Sequence, residues 1–150
     1  MDERSSLRPG DRASVLAAEL RAISGKLKRK LRAQGRQSDL RPSQVSVVLR
    51  IEKDGPAAVS SLARAEGMRP QSMSAVVASL LEAGLLVGSP DPRDRRQTLM
   101  SLSRKCQKLL TEGRAARQDW LTTRIQNKLS AQEQKALGAA LGLLARLIED

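Results

Sequence analysis

The stretch GLLVGSPDPRDRRQTLMSLS, Gly84 to Ser103, constrains the fold of this chain more than any other. Leu85 to Val87 and Thr98 to Leu102 are short apolar runs suited to strands. Gly88, Ser89, Pro90, Asp91 and Pro92 break the pattern between them, because Gly and Pro interrupt a ladder that needs backbone donors and packed side chains. The expectation is a two-stranded hairpin with Arg93, Arg95 and Arg96 projecting from its tip. A helix-patterned segment stops at Gly84 directly before it. A hairpin this small has no core of its own. The helices on either side must supply its packing.

Those helices are legible from spacing. Met1 to Gly10 reads as a disordered arm. From about Asp11, taken as an N-cap, Leu16, Leu20, Ile23, Leu27 and Leu31 recur at helical intervals and form one apolar stripe. Gln34 to Leu40 is a polar break. Pro42 suits the first turn of a second helix that faces Val45, Val48 and Leu49 inward and ends near Gly55. Ala57 to Val59 has room for a brief strand. Ser60 is the expected cap of a third helix, Ser61 to Glu66, which Gly67 stops.

A fourth helix is expected from Pro70 to Ala83, with Met73, Val76, Val77, Leu80 and Leu81 on its apolar side. Its opposite side carries Gln71, Ser72, Ser74, Ala75 and Ser79, which are small, mostly hydrogen-bonding and uncharged. Helices three and four, joined by a Gly-containing turn, match a helix-turn-helix pattern. After the hairpin, Ser103 is placed to cap a long helix bearing Cys106, Leu110, Trp120 and Ile125. Ser130 and Glu133 form the S-x-x-E signature that opens a last helix, lined by Leu137, Leu141, Leu144 and Ile148.

Composition narrows the chemistry. With 150 residues the chain can hold one domain with a real core. Its 27 Lys+Arg against 16 Asp+Glu give a net charge of +11, which favours a polyanionic partner, nucleic acid first and an acidic membrane second. Histidine is absent, as are tyrosine and phenylalanine, and Cys106 and Trp120 are single. A typical zinc site therefore lacks ligands, and Ser-His or Cys-His nucleophilic catalysis is excluded. No catalytic residues and no cofactor are expected. One cysteine permits no intrachain disulfide, and no apolar run approaches membrane-spanning length, so the expected setting is the cytoplasm, without a membrane partner.

With these elements in order, the chain resembles the MarR family of winged helix-turn-helix transcription regulators. The resemblance is carried chiefly by DPRDRRQTLMSLS, Asp91 to Ser103, which is similar to the family's wing pattern of D-x-R before a strand and L-[ST]. LRPSQ at Leu40 to Gln44, SLARAEGM at Ser61 to Met68, LLEAGLL at Leu80 to Leu86 and LSAQEQKAL at Leu129 to Leu137 support it. Arg41 stands where the family commonly has a threonine cap, and Cys106 where glycine is common. The resemblance implies a homodimer held by its terminal helices and bound to double-stranded DNA at a palindromic operator.

The resulting expectation is a mainly α fold with a small β-hairpin wing. Residues 11–40 and 103–150 supply dimerisation helices, and 41–102 the winged helix-turn-helix. On the fourth helix Arg69, Pro70, Gln71, Ser72 and Ser74 are the candidate DNA contacts, since glutamine can pair with adenine and serine is permissive. In the wing, Asp94 and Arg96 resemble the family's paired Asp and Arg, so Asp94 is assigned to orient Arg96, and Arg93 or Arg95 to the minor groove or its phosphates, where negative potential attracts guanidinium. Lys26, Lys28, Arg29, Lys30 and Arg32 read as a solvated face that adds long-range attraction. Cys106 is the one candidate redox thiol, although its place on an apolar stripe argues for a small buried residue. With almost no aromatic residues, an effector pocket would be lined by Leu, Ile, Val and Met with arginine at its mouth, which suits a small hydrophobic anionic effector. The alternatives are a sequence-indifferent architectural DNA binder and an interaction adaptor that no longer touches DNA.

Overall fold

The computed structural model describes residues 8–35 and 39–150. Met1 to Leu7 of the expected arm, and Arg36 to Ser38 of the polar break, lie outside them. The chain divides into two compact units, one formed by Arg32–Arg114 and the other by Met1–Leu31 with Ala115–Asp150. The first therefore takes in more of the chain than residues 41–102, including the start of the long helix after the hairpin.

In the Arg32–Arg114 unit the elements are α2 (Pro42–Asp54), β1 (Ala57–Ala58), α3 (Val59–Glu66), α4 (Pro70–Glu82), β2 (Leu86–Pro90), β3 (Thr98–Leu102) and the first part of α5 (Arg104–Lys128). The strands form an antiparallel sheet in the order β1-β3-β2. Ala57 pairs with Met100, and β2 pairs with β3 from Leu86↔Leu102 to Pro90↔Thr98. The wing is thus three-stranded rather than two-stranded. Its second strand also runs on through Gly88, Ser89 and Pro90, which were expected to lie in the turn. Pro90 is tolerated because β2 is an edge strand. At Gly88 the strands close tightly, and an added Cβ would come within 3.0 Å of Thr98 Cγ2.

The core of this unit is one cluster in which Val47, Leu62, Met73, Leu80 and Cys106 are fully or almost fully buried. On α2 the buried positions are Val47, Val48 and Ile51, while Leu49 faces outward at 43% exposure. The expected stripe was rotated, because a short helix with several consecutive apolar residues leaves its inward face ambiguous. Leu81 of α4 is likewise exposed rather than inward. Ala58, not Ser60, occupies the N-cap of α3. Ala58 is held extended by pairing with Leu99, so the sheet rather than a side chain sets where that helix starts. Gly67 ends α3 in the left-handed region at φ 63°, and Met68 N–H donates to the Ala63 carbonyl at 2.9 Å, a glycine-dependent stop.

The second unit contains α1 (Pro9–Arg32), the later part of α5 and α6 (Ala131–Ile148). α1 begins at Pro9, so Pro9 and Gly10 are helical rather than part of an arm, and Asp11 lies in the first turn instead of capping it. Proline is pre-set for that first position, and a carboxylate there opposes the positive helix end. Ser130 and Glu133 form the expected capping box, with Glu133 N–H donating to Ser130 Oγ at 3.2 Å and Ser130 N–H to Glu133 Oε2 at 2.7 Å. Neither α1 nor α6 buries a residue within the chain. Leu147 and Ile148 are 70% and 84% exposed. Leu20, Leu144 and Ile148 line an open apolar hollow of about 410 Å³. No helix among the described residues is long and apolar enough to cross a membrane.

Candidate nucleic-acid interface

α3, the turn at Gly67 and α4 form the helix-turn-helix within the Arg32–Arg114 unit. Arg69 is the extended N-cap of α4 and supplies no side-chain cap, and Pro70 occupies the first turn. The first N–H groups of α4 therefore have no capping side chain, and no acidic residue stands in that turn. Such a helix end favours an anion. Arg69, Pro70, Gln71, Ser72 and Ser74 are all exposed and stand at the start of α4. Nearby acidity is quenched. Glu66 accepts from Arg50 Nε at 2.9 Å, and that bond, with Asp54 in support, raises the Arg50 pKa.

The wing tip is a loop from Asp91 to Gln97, closed by Asp91 N–H donating to the Gln97 carbonyl at 3.0 Å and Gln97 N–H to the Asp94 carbonyl at 2.9 Å. Both aspartates tie the loop from within. Asp91 Oδ1 accepts from Arg93 N–H at 2.9 Å. Asp94 Oδ1 accepts from Arg96 N–H at 3.1 Å and from Arg96 Nε at 3.2 Å. Asp94 is thus paired with Arg96 as expected, while the ordering role of Asp91 was missed. Its signal, an Asp two residues before a turn N–H, was present in the sequence. The Arg96 side chain is 92% exposed, so the pair contributes little to stability but fixes where the guanidinium starts. Arg93 and Arg95 are also exposed.

The far end of α4 is held by α5. Ser103 Oγ donates to the Gly84 carbonyl at 2.6 Å and accepts from Cys106 N–H at 3.1 Å. Lys105 Nζ donates to the Ala83 carbonyl at 2.9 Å. These satisfy carbonyls left open where α4 ends. Ser79, expected on the solvent face, is half-buried and bonded to Gln44 Nε2 at 3.0 Å. Arg114 makes a two-pronged ion pair with Glu52, one arm 3.1 Å long. Cys106 is 0% exposed, and burial, with Glu52 second, pushes its thiol above the ordinary range. A sensing cysteine needs an accessible site that favours the thiolate, and this one is neither.

This is the arrangement of the winged helix-turn-helix transcriptional regulators. The MarR family model matches residues 40–98. An HTH-type transcriptional regulator of Mycobacterium leprae is 34% identical over 93% of this chain and 97% of its own length. A transcriptional regulator from Pseudomonas aeruginosa of known structure is 34% identical, covers 96% of this chain and 99% of its own, and superposes with a TM-score of 0.74. A mutant of Staphylococcus aureus MepR bound to an oligodeoxyribonucleotide shares the fold at 19% identity, with a TM-score of 0.71 over 89% of this chain and 98% of its own. The chain belongs to the MarR family.

Proposed function

We propose that this regulator is a cytoplasmic homodimer that binds a palindromic DNA operator, represses by occupying a promoter, and is released by a small hydrophobic anion. The observation that carries this reading is the pairing of two exposed chemistries on one compact unit. The start of α4 offers Gln71, Ser72 and Ser74, groups suited to base edges, and the wing offers Arg93, Arg95 and Arg96, suited to phosphates and a narrow groove. That a MepR protein of the same fold is seen with an oligodeoxyribonucleotide supports this use. The exposed leucines and isoleucines of α1 and α6 support the dimer, because an isologous interface would bury the same surface twice.

Enrichment from a pool of random duplexes tests the reading. The expected product is an inverted repeat with half-sites about one helical turn apart. Gln71→Ala is expected to relax preference at one base position of each half-site, at about 1–3 kcal/mol. Binding that is tight yet never enriches a sequence would replace this reading with an architectural DNA binder.

A further inference from the structure

The apolar core beneath α4 decides which face of the helix is buried, and a directional contact can hold its rotation more finely. Met73, Val77 and Leu80 face the cluster that holds Val47, Val48 and Ile51 of α2, and hydrophobic attraction has no direction. A hydrogen bond does, since it weakens steeply off-axis. One such bond joins the two helices here. Gln44 Nε2 donates to Ser79 Oγ at 3.0 Å, and Ser79 Oγ donates in turn to the Val76 carbonyl at 2.6 Å. The other end of the same amide, Gln44 Oε1, accepts from the Arg41 N–H at 2.8 Å. Gln44 is therefore fixed to the first turn of α2 before it reaches across. The contact is partly buried and links residues distant in sequence.

The consequence for α4 is geometric. Ser79 lies seven residues after Ser72, close to two full turns, so both sit on one stripe of the helix. Whatever holds the azimuth of Ser79 holds that of Ser72, and with it Gln71 beside it. We infer that Gln44 and Ser79 are positioning residues for DNA reading, setting the rotation at which α4 presents Gln71 and Ser72 to base edges. The inference rests on the DNA-reading proposal above. Neither residue needs to touch DNA for it to hold. What they control is preference among sequences rather than attraction to the polyanion.

The test compares Gln44→Leu, Ser79→Ala, the double variant and Ser79→Thr, which keeps the hydroxyl. Each is measured against the enriched site and against random duplex, at a temperature where urea curves show every protein folded. Each single variant is expected to lose about two- to tenfold of its preference per half-site of the enriched sequence, the worth of one hydrogen bond in each protomer. Random-duplex binding should stay unchanged. The double variant should lose no more than either single, because both remove the same bond, and Ser79→Thr should keep the preference. Losses that add, or preferences equal to wild type beside lowered stability, would overturn the inference and leave the bond a merely structural one. A wild-type protein with no preference would instead refute the DNA-reading proposal, and this inference would fall with it.

Discussion

Replacing Cys106 by alanine tests how the winged unit is packed. The thiol is wholly buried in the core, and burial, more than the nearby Glu52 charge, raises its pKa from the ordinary 9.0. Losing one sulfur from a close-packed site resembles losing a buried methylene, about 1 kcal/mol at neutral pH. The pH dependence follows from linkage. With the folded pKa raised, the native state keeps a proton that the unfolded chain has already released. Stability from this group is intact below the unfolded pKa and lost as pH rises through the folded one. The loss approaches about 1.4 kcal/mol per pH unit within that window. Cys106→Ala has no such loss, so its deficit against wild type should shrink as pH rises above the ordinary thiol range, about 9 and beyond. Urea unfolding under reductant at these values and at neutral pH measures it. All other residues are common to the two proteins and cancel in the difference. Parallel pH dependences would show that the thiol is solvated in the native state and would refute the argument.

Arg96→Ala, and Asp94→Ala by freeing it, are expected to weaken binding to operator and random duplex alike and to flatten the salt dependence by about one phosphate contact, with the melting temperature unmoved because the pair is exposed. A loss confined to the operator in a binding titration would instead make Arg96 a base reader. Light scattering at micromolar protein is expected to give about twice the chain mass, and Leu147→Glu on the exposed face of α6 to lower it toward one chain. A folded wild-type monomer there would remove the dimer. Hydrophobic weak acids are expected to lower operator affinity and to shift the emission of Trp120, the only tryptophan; a broad panel that changes neither, while oxidation of Cys106 releases DNA, would transfer regulation to the thiol.

The helices α4, α5 and α6 were legible because their apolar positions recur over several turns and their ends carry strong local signals. The S-x-x-E box at Ser130 and the stop at Gly67 are local chemistry, and both appear as expected. What sequence spacing missed was set from far away. β1 exists because Ala57 and Ala58 find β3, and that same pairing moves the start of α3 ahead of Ser60. Leu49 read as inward because Val47 to Leu49 are all apolar, and only packing against α3 and α4 decides which of them is buried. Ser79 read as solvent-facing because its partner, Gln44, lies on another helix. The wing shows the same division. The cluster of arginines was readable from type and spacing and the Asp94–Arg96 pair from the family resemblance, whereas the length of β2 depended on its register with β3.

On the proposed reading, assembly and recognition cannot be separated energetically. The reading face of α4 is uncharged at Gln71, Ser72 and Ser74, so each base contact there is modest, about 1–3 kcal/mol for a good bidentate pair. The net charge of +11 draws the protein to any duplex, and that attraction carries no sequence information. Specificity must then come from counting the modest contacts more than once. A twofold dimer on a palindrome makes each contact in both half-sites, which turns about 1–3 kcal/mol into about 2–6 and a preference of tens into one of up to some ten-thousandfold. A monomer would keep the charge and one set of contacts, but only the square root of the discrimination. On that reading, the exposed apolar faces of α1 and α6 would bear on which DNA is bound as directly as the residues at the start of α4.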